Sequence, residues 1–261
     1  VNQIVEETLG VSEAVILPAD TSIGSAGSTS ASRQTWMSGG AVLKACEAVV
    51  HSLMSVLQNE SGVEFERVGS NLIPKDGSDA IEIAVALRGR NFDEHVTHRH
   101  LPTFPLDQNG QGNAHVSFAF AAHRAVVDVD EELGLVRVVE IATSQDVGRI
   151  LNPVQARGQI EGGVAQGLGL ALLEELVLSD GKIANANFTD YLLPTAMDTP
   201  PIEIAALIEQ PEPGAPFGAK GIGEPPVISS TPAIIAAIRD ATGYELNRVP
   251  VKPEDIALSG L

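Results

Sequence analysis

The chain has 261 residues, 44% of them hydrophobic and 4% aromatic, which suits an aliphatic globular core of one large domain or two smaller ones and excludes a disordered chain. With 34 Asp and Glu against 16 Lys and Arg, the formal charge is −18. Such a chain lacks the basic patches that nucleic acid or an anionic membrane surface needs, and any phosphate must be held mainly by backbone N–H groups, hydroxyls and helix N-termini.

Residues 1–10 read as a helix stopped by Gly10, with neither an initiator Met nor an N-cap, as if the chain begins inside a larger fold. Residues 14–18 form a short apolar strand candidate. A tract of small hydroxyl residues then runs from Asp20 to Thr35; it is either a flexible linker or, tethered as it is to the next helix, a cradle of N–H and O–H donors for an anion. That helix is expected over about 40–58, with Val42, Cys46, Val49, Val50, Leu53, Met54 and Leu57 on one face. Cys46, the single cysteine, therefore reads as a core thiol. No apolar run approaches the roughly 20 residues of a membrane helix and no signal-peptide pattern opens the chain, so a reducing, cytoplasmic setting is expected.

A strand pair is expected over 62–73, a helix over 79–87 and a long irregular connection over 89–112. His95, His98 and His100 in that connection lack a cysteine partner and are read as a solvated loop rather than a zinc site. His115 and His123 flank a strand in which Val116, Phe118 and Phe120 alternate with small residues, and both are read as structural. The strand runs on to Asp130, turns through Glu131, Glu132, Leu133 and Gly134, and returns over 135–142. An antiparallel hairpin of this kind implies α+β organisation.

Asn152 and Pro153, a cap and first-turn pair, open a helix expected to reach about residue 176. Gly158, Gly162, Gly163, Gly167 and Gly169 fall inside it, each costing roughly 1 kcal/mol against Ala. They either pack another helix closely or admit a flat ligand beside Gln159 and Gln166. A second hairpin (176–178 with 182–185) and a strand over 201–207 follow. In the run 217–226, glycines lead to Glu224, and Pro225 and Pro226 stiffen the chain behind it. This is either a placed reactive carboxylate or a tight surface turn. Thr231 and Pro232 signal the start of a closing helix that Gly243 ends. P-loop and dinucleotide-binding spacings fail, and no nucleophile elbow, H-E-x-x-H or C-x-x-C occurs.

Three segments in this order, 28–35, 146–169 and 218–226, together with Asp190-Tyr191-Leu192-Leu193-Pro194-Thr195, resemble the C-terminal half of the molybdenum-cofactor subunit of the xanthine dehydrogenase and aldehyde oxidase family. The resemblance implies an α+β molybdopterin-binding domain with mixed and antiparallel sheets and long packed helices, divided into subdomains of about 1–110 plus 230–261, and 111–229. It implies a molybdenum hydroxylase that inserts water-derived oxygen into a purine-like N-heterocycle or an aldehyde, with Glu224 as general base toward the molybdenum-bound hydroxide. Thr29, Ser30, Ala31, Ser32, Arg33 and Gln34 would hold the pterin and its phosphate, Gln159 would lie near the molybdenum end and Gly223 beside the metal. No side chain here would ligate the metal. The pterin cofactor would be a mononucleotide or cytosine dinucleotide. The family's N-terminal half, its [2Fe–2S] and FAD centres and the electron route would belong to partner chains or domains, in a dimer of heteromers. The alternative is a non-catalytic cofactor-binding or assembly subunit of the same fold.

Overall fold

Gly10 ends the first helix, α1 (Asn2–Leu9), in the left-handed conformation that glycine tolerates, φ 70°, and its N–H returns to the carbonyl of Glu6. The computed structural model describes residues 1–18, 20–25 and 27–259. Ala26 of the small-residue tract and the last two residues of the C-terminal segment lie outside it. Two units emerge, Val1–Val116 with Glu212–Ala219, and Ser117–Pro211 with Lys220–Leu261.

In the first unit α2 (Gln34–Ser61) is 28 residues long, about 42 Å, and ends on Gly62 at φ 75°. It starts six residues earlier than expected, so Gln34 sits in its first turn and the preceding loop ends at Arg33. Beyond it lie β1 (Phe65–Val68), β2 (Asn71–Pro74), β3 (Ile81–Glu82) and a single turn, α3 (Ile83–Ala86). The strands pair antiparallel in the order β1-β2-β3. Val50, Leu53, Leu72 and Ile83 form the core, with Leu57, Phe65 and Phe92 packed on it. By length and composition α2 is apolar enough to cross a membrane, contrary to the expectation from the sequence. Its buried face, Cys46, Val50 and Leu53, belongs to this packed interior. Burial pushes the Cys46 thiol up, so it stays protonated and inert at neutral pH.

The helix expected over 79–87 is thus a short strand followed by one turn, because Ile81 and Glu82 join the β2 edge. Residues 14–18 form no strand: Val15, Ile16 and Leu17 are exposed and, among the described residues, no strand pairs with them.

The second unit is built on β4 (Ala121–Asp130) and β5 (Leu135–Asp146), an antiparallel hairpin with a bulge at Val126 and Val127. Residues 116–120 lie outside the strand. Next come α4 (Pro153–Leu172), the minimal hairpin β6 (Leu178–Ser179) and β7 (Lys182–Ile183), and β8 (Ile202–Ile208), which pairs parallel to β5. The last helices are α5 (Pro225–Thr242) and α6 (Pro253–Ala257). Val138, Ile141, Ile160, Val164, Leu168, Ile234 and Ile238 fill the space between sheet and helices. At the β4–β5 turn Gly134 (φ 67°) lies so close to Pro253 that a Cβ would come within 2.0 Å of its carbonyl oxygen.

Two sequence readings differ from what is found. The closing helix starts at Pro225, not at Pro232: the prolines 225 and 226 occupy its first turn, where missing N–H groups cost nothing, and Pro232 lies inside it. Thr231, read as a cap, donates its hydroxyl to the carbonyl of Gly167 on α4 (2.8 Å). Residues 230–261 therefore pack with the sheet and α4 of the second unit rather than with residues 1–110, while 212–219 join the first unit.

The glycines of α4 explain how α4 and α5 come together. A Cβ on Gly163 would lie 2.7 Å from Pro226 Cβ, and one on Gly167 would lie 1.9 Å from Ser230 Oγ. Both contacts advance by four residues in the same direction, so the helices run parallel, one turn of α4 matched to one turn of α5.

Candidate functional site

Glu224 is the N-cap of α5, and its carbonyl accepts from the N–H groups of Val227 (3.0 Å) and Ile228 (3.2 Å). An N-cap side chain ordinarily turns back to accept from the second or third helical N–H. Here the second helical residue is Pro226, which has none, and the Glu224 carboxylate makes no capping bond. The backbone is pinned, and the exposed carboxylate stands at the positive end of an 18-residue helix without serving as its cap.

The segment leading to it is anchored twice. Lys220 Nζ meets Asp146 Oδ2 at 2.5 Å, both side chains nearly buried (7% and 10% exposed) at the end of β5, and Lys220 N–H donates to the carbonyl of Val147 (3.0 Å). Ile222 packs on the apolar core. Gly221 and Gly223 thus span a short, held bridge into Glu224. Sequence reasoning does not single out Lys220 and Asp146 as partners; 74 residues separate them.

Gln159 lies exposed on α4, one turn before Gly163, the glycine that touches Pro226. The parallel register therefore carries Gln159 toward the end of α5 where Glu224 sits. The α4 glycines divide into two sets. Gly163 and Gly167 are closed by α5, and Gly169 by Glu174 and Pro194, whereas a Cβ on Gly158 or Gly162 meets nothing within 4 Å. The close-packing reading holds at Gly163 and Gly167, while Gly158 and Gly162 face open space. Gly167→Ala is expected to destabilise the chain by about 1–3 kcal/mol through overpacking. Gly162→Ala is expected to stabilise the cofactor-free chain by about 1 kcal/mol through helix propensity, yet to lower cofactor retention if a ligand uses that space. Thermal melts with and without cofactor separate the two, and equal effects at both positions would refute the division.

His123, on β4, contacts Ser229 Oγ of α5 through Nδ1 at 2.7 Å. Burial pushes its pKa down to about 4 from 6.5, so the ring is neutral in the fold. Between pH 6.5 and about 4 the unfolded chain takes up a proton that the folded ring refuses. The stability of the neutral state is therefore complete above pH 6.5 and lost as pH falls toward 4. The Tm of the wild type should drop more across this window than that of His123→Asn; parallel curves would contradict a buried neutral ring.

In the first unit, the 29–34 loop closes on itself. Ala31 and Ser32 both have left-handed backbone (φ 55° and 52°), as in a type I′ turn, and Arg33 N–H reaches the carbonyl of Ser30 (3.4 Å). The Arg33 guanidinium donates to the carbonyl of Ser28 (2.9 and 3.2 Å). Thr29 Oγ1 donates to Gln34 Oε1 (3.3 Å), and Gln34 Nε2 to Ser38 Oγ (2.7 Å). Two consecutive non-glycine residues in this region are strained by roughly 1–2 kcal/mol each, a feature common at ligand clamps. The loop feeds the N-terminus of α2, which has no side-chain cap. Beside it a cavity of about 520 Å³ is lined by Ser25, Gly27, Arg33, Met37, Arg99 and His100, among others. This collects cationic groups within a strongly acidic chain.

His98 departs from the solvated loop expected for 89–112. Its ring lies against α2 where Gly40 leaves room, at 2.6 Å from the position of a Cβ, and both ring nitrogens are buried without partners. Burial is the main cause of its lowered pKa, with Lys44 and His100 adding to it. Among the described residues no group of three or more His, Cys, Asp and Glu side chains is placed to hold a metal ion.

Residues 1–200 match the molybdopterin cofactor-binding domain family. The chain belongs to that family. The chain is 31% identical to a probable xanthine dehydrogenase subunit of Bacillus subtilis, over 98% of this chain and 35% of that protein. It is also 31% identical to the 6-hydroxypseudooxynicotine dehydrogenase complex subunit gamma of Paenarthrobacter nicotinovorans, over 86% of this chain and 29% of that one. The chain thus spans about a third of the length of these curated relatives. Its fold is that of a solved Cu,Mo-CO dehydrogenase chain, TM-score 0.81 over 98% of this chain and 33% of that one, at 22% identity. The α+β class with mixed sheets read from the sequence agrees with this likeness.

The chain presents groups that fit a pterin phosphate. Backbone donors of a strained turn, hydroxyls of Thr29, Ser30 and Ser32, an uncapped helix start and the Arg33 guanidinium suit an anion. Gly158 and Gly162 leave open space beside Gln159 for a flat group.

Proposed function

We propose that this chain is the second cofactor-holding portion of a molybdenum hydroxylase, an enzyme that adds water-derived oxygen to an electron-poor carbon of a purine-like N-heterocycle or of an aldehyde. The observation that carries the proposal is the placement of the Glu224 carboxylate. It stands exposed at the start of α5 with its backbone fixed, and follows a segment anchored by Lys220 and Ile222. When bound, molybdenum supplies Lewis acidity and accepts two electrons. Glu224 takes a proton at its carboxylate as general base. The amides and hydroxyls of Thr29, Ser30, Ala31, Ser32, Arg33 and Gln34 hold the pterin and its phosphate, in mononucleotide or cytosine dinucleotide form. The Gln159 amide orients the molybdenum end, and Gly223, lacking a side chain, admits it.

The relatives' names, a xanthine dehydrogenase subunit and a subunit of a 6-hydroxypseudooxynicotine dehydrogenase complex, support an N-heterocycle as the substrate class and a multisubunit enzyme. Glu224 is exposed on this chain, and so are Phe188 (80%) and Met197 (93%). Surfaces of this kind suit burial against an N-terminal portion of the molybdenum subunit, with iron–sulfur and FAD subunits completing a cytoplasmic dimer of heteromers. The test is to isolate the chain with whatever co-purifies from a molybdenum-replete host. Stoichiometric molybdenum and pterin are expected. A folded assembly without metal would replace this reading by that of a non-catalytic scaffold.

A further inference from the structure

We propose that His123 is a positioning residue for Glu224, acting through Ser229 and the first turn of α5; the inference rests on Glu224 being the base.

His123 projects from β4, where it stands opposite Thr143 of β5, onto the flank of α5. Its Nδ1 lies 2.7 Å from Ser229 Oγ, and Ser229 Oγ lies 3.4 Å from the carbonyl of Pro225, the residue immediately after Glu224. A serine hydroxyl has one proton to give. If Ser229 gives it to Pro225, the bond to His123 requires an Nδ1–H donor, and this assignment satisfies both contacts. The other ring nitrogen, Nε2, is then an unprotonated acceptor, and it is buried without a partner. The converse tautomer would bury an unsatisfied N–H there and surrender the Pro225 contact, the costlier arrangement. A neutral ring, enforced by burial, keeps the Nδ1–H tautomer available across the physiological range.

The first turn of α5 has particular need of such a tie. Pro225 and Pro226 bring no N–H groups for a Glu224 side-chain cap, and the Glu224 carboxylate makes no such cap. From α4, Pro226 packs against Gly163. From the sheet the turn is held by the directional His123–Ser229–Pro225 chain. Shape sets the distance of the turn, and the hydrogen bonds set its rotation about the α5 axis, which aims the carboxylate.

Three substitutions in the cofactor-loaded assembly test this. His123→Leu and Ser229→Ala should each lower kcat about 10-fold or more, with KM within about 2-fold and molybdenum content unchanged. His123→Asn, whose amide can donate from nearly the Nδ1 position, should recover most of the loss. The double variant His123→Leu, Ser229→Ala should be no worse than either single one. Independently of turnover, hydrogen exchange at the amides of Val227 and Ile228 should accelerate in His123→Leu and return in His123→Asn. The proposal is overturned if Ser229→Ala, which removes one oxygen and leaves the fold intact, keeps full kcat and unchanged exchange. It is likewise overturned if the losses follow Tm or metal content, or if Asn fails to rescue. Glu224→Gln distinguishes the two levels of argument. Full turnover in that variant removes the base and this inference with it, whereas an inactive Glu224→Gln beside a fully active Ser229→Ala removes the positioning role alone.

Discussion

Glutamine in place of Glu224 is expected to lower kcat by about two to four orders of magnitude while the assembly keeps its molybdenum. Glutamine preserves shape and side-chain length, and the N-cap role of residue 224 is played by its backbone carbonyl, which the substitution leaves alone. Fold and cofactor content should therefore be unaffected, and kcat and kcat/KM should fall together, as they do when an interaction made in the transition state is removed. Glu224→Asp keeps a proton acceptor but withdraws it by one methylene, so it should fall between wild type and glutamine. Turnover per molybdenum within a few-fold of wild type in the glutamine variant would show that the carboxylate is an incidental turn residue.

Lys220→Met should be the most destabilising single change in the glycine segment. It leaves the Asp146 carboxylate, 10% exposed, without its cation, and breaking one side of such a pair costs about 3–5 kcal/mol. Pairing the change with Asp146→Leu should recover most of that loss in a denaturant or thermal melt, since both charges are then gone. Activity should not recover with stability, because the side-chain ion pair between β5 and the segment ending at Glu224 is still missing and only the backbone bond to Val147 remains. A single variant as stable as wild type would mean that the pair is solvated in solution.

Local signals carried much of this architecture. Asn152 with Pro153 marked the start of α4, with Asn152 Oδ1 accepting from Gln155 N–H at 3.0 Å as an N-cap should. Gly10 and Gly243, read as stops, ended their helices in left-handed backbone. Thr231 and Pro232 carried an equally good start signal and misled, because Pro225 and Pro226 supply an earlier start and the Thr231 hydroxyl finds its acceptor on another helix. The histidines show the limit more plainly. Nothing near His98 in sequence announces the hole left by Gly40, and nothing near His123 announces Ser229, 106 residues away. Glu224 itself stood out through its glycine and proline neighbours, but Lys220 and Asp146, which hold its approach, become partners only when β5 and the glycine segment meet. The motifs singled out Glu224, and the fold was needed to find what steadies the segment that carries it.

The parallel register of α4 and α5 has a consequence for evolution by insertion. Since Gly163 lies level with Pro226, the nine residues 153–161 run about 13 Å past the start of α5, held to the core by Ile160. A single residue inserted directly after Gln159 would leave Ile160, Gly163, Gly167 and the core contacts beyond them in place. It would nonetheless turn Gln159 by about 100° and shift it by about 1.5 Å, away from the Glu224 side. The spacing from Gln159 to Gly163 can therefore not change in count, and it works as a ruler between the two helices.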